Sequence, residues 1–250
     1  MPTVVVTGAT GAIGSATVAA LEKRRVQVIK LSRPALDLSS TVSVRAAARE
    51  LNQSVAHIDA LLHIASVYAA RWQKTGDGFE LMLATNHLGP FLLTNLLRDR
   101  LVRGGRVITV TAPSSTRVDL SQLLDKQQFR ALHSFGATKA AQLLFTFELA
   151  RRASRWEVRA NAFHPGLVRS QLVREAPLPA RLATRWLGRP PTGPAEDLVE
   201  LALSPAHAGT TGWFFKGTRR IDPPRSTADV EQQGAVWKQS AELVELEGGF

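Results

Sequence analysis

The sequence predicts an α/β protein with a single doubly wound (Rossmann) parallel sheet and helices on both faces. Short, almost continuously apolar runs alternate with longer segments of helical periodicity along the whole chain. This alternation is typical of parallel sheets that are covered on both sides. The chain has 250 residues, 44% of them hydrophobic, which is enough to form one such domain around a large core.

The runs that we predict as strands are rich in apolar and β-branched residues, and they cover residues 3–7, 26–31, 60–65, 106–111, 158–163 and 212–215. The segments that we predict as helices lie mostly between them, at residues 12–23, 41–53, 77–100, 136–152, 195–203 and 229–246. No internal repeat and no low-complexity linker separates these elements. We therefore expect residues 1–250 to form one domain.

One segment, residues 171–194, departs from this alternation and is called the insert below. It contains five prolines and only a short helical patch at residues 180–187. Long irregular segments in compact domains are commonly lids or binding loops, and a plain surface excursion is the alternative. As a lid, the insert would line a hydrophobic cavity with its large apolar side chains. The alternative is that these side chains form only the ordinary packing of a lid helix. They are Leu172, Val173, Leu178, Leu182, Trp186 and Leu187.

Composition excludes several classes of site. The chain has no cysteine, which rules out disulfide scaffolds, thiolate metal sites and cysteine nucleophiles. Its single tyrosine is Tyr68, so no mechanism can use a tyrosine at another position. No run approaches the ~18 apolar residues of a membrane span, and the first residues lack the basic and apolar regions of a signal peptide. We therefore predict a cytoplasmic protein without a membrane span.

The charge is strongly basic, with a net charge of +10 and a pI near 10.9. Charge of this size is compatible with nucleic acid, an anionic membrane or an acidic ligand. The basic residues are spread through the chain without a long basic run, so we expect no specific nucleic-acid partner and interpret them as a solvated surface. No histidine has a carboxylate at ligand spacing, so no metal site is expected.

Three glycines follow the first predicted strand and open the first predicted helix. Gly8 permits a tight turn, Gly11 lets the backbone approach a diphosphate, and Gly14 lets the helix pack closely on the sheet. The N-terminus of that helix offers oriented N–H groups to the anion. The residues of this turn that we predict to bind a dinucleotide are Thr7, Gly8, Thr10, Gly11, Ile13 and Gly14.

This turn resembles the cofactor turn of the short-chain dehydrogenase/reductase family, and the resemblance runs almost end to end. Residues 77–80 and 85–94 (Asp-Gly-Phe-Glu and Thr-Asn-His-Leu-Gly-Pro-Phe-Leu-Leu-Thr) are similar to the retinol-dehydrogenase-like and protochlorophyllide-reductase-like members. Residues 164–170 (His-Pro-Gly-Leu-Val-Arg-Ser) resemble the segment that closes over the nicotinamide in that group. The resemblance implies a nicotinamide dinucleotide cofactor, whose further contacts would be Asp37, Leu38, Ala65, Asn86, Lys139, Pro165, Gly166 and Val168.

Arg33 lies just after the second predicted strand, where no acidic residue is present. A basic residue at this place would pair with a 2′-phosphate, which favours NADP(H) over NAD(H). The alternative is that Arg33 is an ordinary loop arginine. The connection to Asp37 is also very short, and the helix and strand that the family carries there look deleted.

The catalytic positions depart from the pattern of the family, which uses serine, tyrosine, lysine and asparagine. Lys139 and Asn86 are present, but the serine position is Ala112 and the tyrosine position is Phe135. Pro90 cannot donate a hydrogen bond to the Asn86 carbonyl, so we expect that carbonyl to be free for the water of the family's proton relay. The substitute acids that we consider are His133 first, and then His63 and Tyr68.

Three classes of function fit these residues. The first is a reductase whose substrate needs no tyrosine acid or finds a substitute acid. The second is a non-redox enzyme, such as a cyclase or isomerase, that acts on a small hydrophobic or acidic molecule. The third is a pseudoenzyme that binds a dinucleotide and acts through a partner. Self-association is left open by the sequence.

Overall fold

The structure is a computed structural model that describes residues 1–172 and 174–250. The strands of these residues form one sheet in the order β2-β1-β3-β4-β5-β6-β7. All neighbouring strands are parallel except β6 and β7, which are antiparallel. The strands are β1 (Thr3–Thr7), β2 (Gln27–Leu31), β3 (Ala60–His63), β4 (Arg106–Val110), β5 (Arg159–His164), β6 (Phe214–Lys216) and β7 (Arg219–Ile221).

The six predicted strands all occur, with ends that differ by two residues or less from the prediction. Strand β7 was missed because it is three residues long and begins with Arg219 and Arg220, so no apolar run marks it. Strand β2 is an edge strand of the sheet. The short connection after β2 predicts this position, because it leaves no room for a further strand beyond β2. In the described residues no other strand pairs with the outer side of β2.

The helices cover both faces of the sheet. In chain order they are α1 (Ala12–Glu22), α2 (Thr41–Ser54), α3 (Leu81–Leu83), α4 (Gly89–Leu96), α5 (Arg98–Leu101), α6 (Leu120–Leu124), α7 (Ala131–Arg152), α8 (Leu178–Leu187), α9 (Thr192–Leu203) and α10 (Val230–Leu243). Because side chains alternate along a strand, Val5 of β1 packs with α2, α4, α7 and α10, whereas Val4 and Val6 pack with α1 and α9.

The helix predicted at residues 77–100 is broken into pieces. Helix α3 leads into a π-helical turn, Ala84–Leu88, which is followed by α4 and α5. Pro90 lies in the first turn of α4 and has no N–H to donate, so the backbone widens locally instead of continuing as one α-helix. Helix α6 was not predicted, since five residues are too few to show a period.

Candidate active site

The predicted cofactor and catalytic residues come together at the carboxyl edge of the sheet. Thr7 ends β1, and Ala65, Ala112 and Pro165 follow the ends of β3, β4 and β5 by one or two residues. Since the strands are parallel, their carboxyl ends meet at one edge, which is the usual ligand-binding edge of open α/β sheets.

The glycine turn is built so that side chains would not fit. Gly8 has a positive φ of 67°, and a Cβ atom added there would lie 2.7 Å from the Cα of Ala65. A Cβ on Gly14 would lie 2.1 Å from the carbonyl oxygen of Gly8. Helix α1 begins after Gly11, which has no side chain to cap the first N–H groups. Those N–H groups are therefore available to an anion.

The other predicted residues of this end of the site are held by hydrogen bonds of their own. The hydroxyl of Thr7 donates to the carbonyl of Leu62 at 3.3 Å and accepts from the N–H of Ile64 at 3.2 Å, which ties β1 to the end of β3. Thr10 is exposed and Ile13 is half-buried at the start of α1.

Arg33 and Asp37 follow the edge strand β2. Arg33 is exposed, and Asp37 and Leu38 are more buried. Burial would raise the pKa of Asp37, but hydrogen bonds from the side chain and N–H of Ser39 and the charge of Arg33 lower it overall. Asp37 is therefore a carboxylate at neutral pH, beside an exposed arginine.

Helix α7 is fixed against the end of β4. The hydroxyl of Thr111 donates to the carbonyl of Lys139 at 3.0 Å, and the N–H of Thr111 extends the ladder with β5 by donating to the carbonyl of Phe163 at 2.8 Å. Ala112 is the next residue along the chain. The predicted serine position therefore lies beside the part of α7 that carries Lys139.

Lys139 is buried within a network of neutral groups. Its Nζ donates to the hydroxyl of Ser66 at 2.9 Å and to Oε1 of Gln142 at 3.0 Å. The same Nζ lies 5.3 Å from the centre of the Phe135 ring. Burial lowers the pKa of Lys139 to about 7, because none of these neighbours carries the negative charge that would stabilise the ammonium form.

Asn86 is fully buried in the π-helical turn. Its side-chain oxygen and its side-chain nitrogen both form hydrogen bonds. Its Oδ1 accepts from the N–H of Val67 at 2.8 Å. Its Nδ2 donates to the carbonyl of Val67 at 2.9 Å and to the hydroxyl of Thr138 at 3.1 Å. The side chain thus joins the segment after β3 to helix α7.

The expectation that the Asn86 carbonyl is free for water is wrong. Nε2 of Gln142 donates to that carbonyl at 2.7 Å, so a side-chain amide takes the hydrogen bond that Pro90 cannot make. Gln142 lies three residues after Lys139, which places both on one side of α7. No periodic pattern predicts this contact, since the partners of a polar residue on a buried helix are known only once the neighbouring elements are placed.

Phe135 packs against the chain's single tyrosine. The rings of Tyr68 and Phe135 meet edge to face with centres 5.5 Å apart. Burial, together with the negative charge of Glu175, raises the pKa of Tyr68, so its hydroxyl keeps its proton at neutral pH. The same small apolar cluster contains Leu172, Ala176 and Ala180 of the insert.

The other two candidate acids lie elsewhere. His133 is exposed in the first turn of α7. His63 is buried in β3, where its Nε2 lies 2.7 Å from the hydroxyl of Thr94, and burial lowers its pKa to about 3. It is therefore neutral at physiological pH and cannot serve as a cationic acid.

The insert contains helix α8, but its large apolar side chains do not line a cavity. Leu178, Leu182, Trp186 and Leu187 are all exposed. Leu172 is partly buried against the cluster of Tyr68, and Val173 lies outside the described residues. For these four residues of α8, both predicted alternatives are wrong. The side chains neither line a cavity nor pack against the protein, because they are exposed.

Both ends of the insert lie beside the turn after β5. Gly166 has a positive φ of 72°, and Arg189 donates from Nε to the carbonyl of Pro165 at 3.0 Å. Val168 is buried and forms an isolated parallel bridge with Arg189. The segment predicted to close over the nicotinamide is thus attached to the segment predicted to be a lid.

No group of His, Asp and Glu side chains in residues 1–172 and 174–250 is arranged to hold a metal ion. In the same residues, no helix is long and apolar enough to cross a membrane.

The parallel sheet and the glycine turn at its carboxyl edge define a protein of the dinucleotide-binding Rossmann class. The family model described as Enoyl-(Acyl carrier protein) reductase matches residues 3–212. Retinol dehydrogenase 13 of Homo sapiens is 30% identical over 98% of this chain and 85% of its own length. The chain therefore belongs to the short-chain dehydrogenase/reductase family.

Two further comparisons agree with this assignment. Retinol dehydrogenase 14 of Homo sapiens is 32% identical over 84% of this chain, and the match spans 66% of that protein, just under two thirds of its length. The structure of the 3-alpha-hydroxysteroid dehydrogenase from Pseudomonas sp. B-0831, complexed with NADH, has a TM-score of 0.72 at 22% identity. The structural match covers 86% of this chain and 95% of the dehydrogenase chain. This likeness supports the fold.

Proposed function

We propose that this protein binds NADP(H) in preference to NAD(H) at the carboxyl edge of its sheet. The glycine turn supports this proposal because its N–H groups are available to a diphosphate and its space admits no side chain. Arg33, exposed after β2 in a place without an acidic residue, would pair with a 2′-phosphate. Lys139 would hold the nicotinamide ribose, and the turn of Pro165, Gly166 and Val168 would cover the nicotinamide.

We further propose that the protein is an enzyme acting on a small hydrophobic molecule with an atypical active site. Bound NADPH would supply hydride, but Phe135 has no hydroxyl to supply the accompanying proton and Ala112 has none to orient a carbonyl oxygen. A missing general acid costs roughly 10²–10⁴-fold in rate. Either the substrate is reduced without an acid at residue 135, needing none or using a substitute acid, or the site performs a non-redox reaction such as a cyclisation or isomerisation.

One contact favours a specific substitute acid. Tyr68 is protonated at neutral pH and its ring touches Phe135, so its hydroxyl could donate a hydrogen bond to an oxygen atom of a substrate in this cluster. His133, the first candidate from the sequence, is exposed and takes no part in the described network. Tyr68 is therefore the better candidate of the two.

The proposal extends to the whole chain. Residues 1–250 would act as one dinucleotide-binding domain in the cytoplasm, with residues 171–194 as the lid of the substrate site. A pseudoenzyme that binds the dinucleotide and acts through a partner is the alternative, and the exposed arginines of the insert would then belong to the partner surface.

Calorimetry with NADPH and NADH tests the cofactor. We expect binding in the micromolar range or tighter for NADPH and weaker binding for NADH. Arg33→Ala should weaken NADPH binding by roughly 10–100-fold, the value of a charge-assisted hydrogen bond, and leave NADH binding unchanged. Arg49→Ala, at an exposed position of α2, is the matched control. No heat with either nucleotide would refute the proposal.

Turnover of simple ketones and aldehydes with NADPH tests the chemistry. We expect little or none with the wild-type protein, and denaturing mass spectrometry of the purified protein should show whether a product-like molecule accompanies the nucleotide. Fast carbonyl reduction that Tyr68→Phe abolishes would assign the acid to Tyr68 and overturn the expectation of slow turnover. Bound nucleotide that no substrate panel turns over or changes would favour the pseudoenzyme.

A further inference from the structure

Helix α8 presents its large apolar side chains to the outside of the protein. Leu178, Leu182 and Trp186 are 60%, 43% and 74% exposed. At about 100° per residue they form a stripe roughly 80° wide along the helix. The side facing the protein has small residues instead, and Ala180 on that side packs against the cluster of Tyr68.

The charges of α8 lie beside this stripe. Arg181 and Arg185 each precede a stripe residue and are exposed, and the guanidinium of Arg185 lies 5.8 Å from the centre of the Trp186 ring. The segment 174–189 has four arginines and a single acidic residue, Glu175. That acidic residue is turned to the body of the protein, since its Oε2 accepts from the N–H of Ala70 at 3.3 Å.

We propose that α8 docks the protein on the surface of an anionic lipid bilayer. A helix of low overall hydrophobicity with a stripe of leucine and tryptophan flanked by arginines is typical of helices that lie in the membrane interface. The basic flanks complement anionic headgroups, and each basic side chain near such a surface strengthens binding by roughly fivefold. One ten-residue helix provides weak and reversible attachment, unlike a membrane span.

Docking through α8 would bring the candidate active site to the lipid surface. The inner side of α8 lies on the cluster that contains Phe135 and Tyr68, and its outer side carries the stripe. A hydrophobic substrate could then pass between the bilayer and the site without crossing water. This interaction surface goes beyond the proposed cofactor and chemistry and does not depend on them.

Flotation of the full chain with vesicles tests the proposal. We expect the protein to float with vesicles that contain phosphatidylglycerol, to float much less with pure phosphatidylcholine, and to be released by high salt. Because the chain has no cysteine, Leu178→Cys, at a stripe position 60% exposed, allows a single environment-sensitive dye to be attached. Its emission should shift to the blue when anionic vesicles are added.

Two variants separate the apolar and the charged contributions. Trp186→Ala should weaken binding to anionic vesicles by at least about tenfold, with Val42→Ala, at an exposed position of α2, as its control. Arg181→Glu with Arg185→Glu should weaken it by roughly 30-fold or more. The control, Arg49→Glu with Arg219→Glu, lowers the net charge equally at exposed positions elsewhere.

Several results would overturn the proposal. They are no flotation with either vesicle, equal loss of binding in the control and α8 charge variants, and a blue shift of the dye with NADPH alone, which would mean that the stripe folds onto the protein. Self-association in analytical ultracentrifugation that Trp186→Ala abolishes, without flotation, would assign the stripe to a second copy of the chain.

Discussion

Acid should destabilise this protein through two buried histidines that the fold keeps neutral. The hydroxyl of Thr94 donates to the carbonyl of Pro90 at 2.8 Å, so it accepts from Nε2 of His63. The hydroxyl of Ser240 likewise donates to Val236 at 2.7 Å and accepts from Nε2 of His87. The Nδ1 atoms of both histidines lack a hydrogen-bond partner among the described residues, so a second N–H would have no acceptor.

The size of the effect follows from the pKa values. Burial lowers the pKa of His63 and of His87 from 6.5 to about 3. A group whose pKa is lower in the folded state contributes stability that is complete above pH 6.5 and is lost as the pH falls toward 3. At pH 5 the loss is about 2 kcal/mol for each histidine and about 4 kcal/mol for the pair. Typical domains have a free energy of unfolding of about 5–15 kcal/mol.

Urea unfolding at pH 8, 7, 6 and 5 measures this dependence. Below pH 6 the free energy of unfolding should fall by about 2.7 kcal/mol per pH unit from the pair, and His87→Gln should remove about half of that slope whatever its absolute stability. His164, whose pKa burial also lowers, adds to the fall. If His87→Gln and His63→Gln both kept the pH slope of the wild-type protein, the argument would be refuted.

Two other predictions concern the candidate active site. Burial lowers the pKa of Lys139 from 10.5 to about 7, so the folded protein loses this proton at a lower pH than the unfolded chain does. The free energy of unfolding should therefore rise between pH 7 and 10.5. Lys139→Met should flatten this rise in urea unfolding. Phe135→Tyr with Ala112→Ser should give measurable NADPH-dependent reduction of a small ketone or quinone, and each single variant should give less, because donor and orienter act together. A crystal structure with NADPH in which Phe135 and Ala112 point away from the nicotinamide would contradict the positions assigned to them.

The sequence was most informative where one local pattern decides the structure. The apolar runs predicted six strands, and the glycine spacing predicted the turn, because both depend on residues close together in the chain. The break at Ala84–Leu88 could be anticipated from Pro90, but not its form. Whether a proline bends a helix or widens it into a π-helical turn depends on the neighbours that donate a hydrogen bond to the freed carbonyl, and here the donor lies on α7.

The candidate site was predicted only in part, because many of its contacts join residues that are far apart in the chain. Lys139 and Asn86 were found through a motif, whereas Gln142, whose Oε1 accepts from Lys139, belongs to no motif. The orientation of α8 was also missed. A stripe of leucine and tryptophan predicts an apolar face, but only the packing of Ala180 shows that the opposite side of the helix meets the protein.

The contacts of Gln142 and the phenylalanine at residue 135 are physically connected. A buried ammonium and a carbonyl freed by Pro90 each need a partner, and in a relay those partners are water molecules that also carry protons. The amide of Gln142 satisfies both groups at once, with Oε1 facing Lys139 and Nε2 facing Asn86. An amide does not exchange its protons readily, so this arrangement fixes Lys139 but opens no path to solvent. Such a site suits a residue that holds a ligand, and it predicts that the reduction gained by Phe135→Tyr with Ala112→Ser is slow, because residue 135 would be resupplied with protons without a relay.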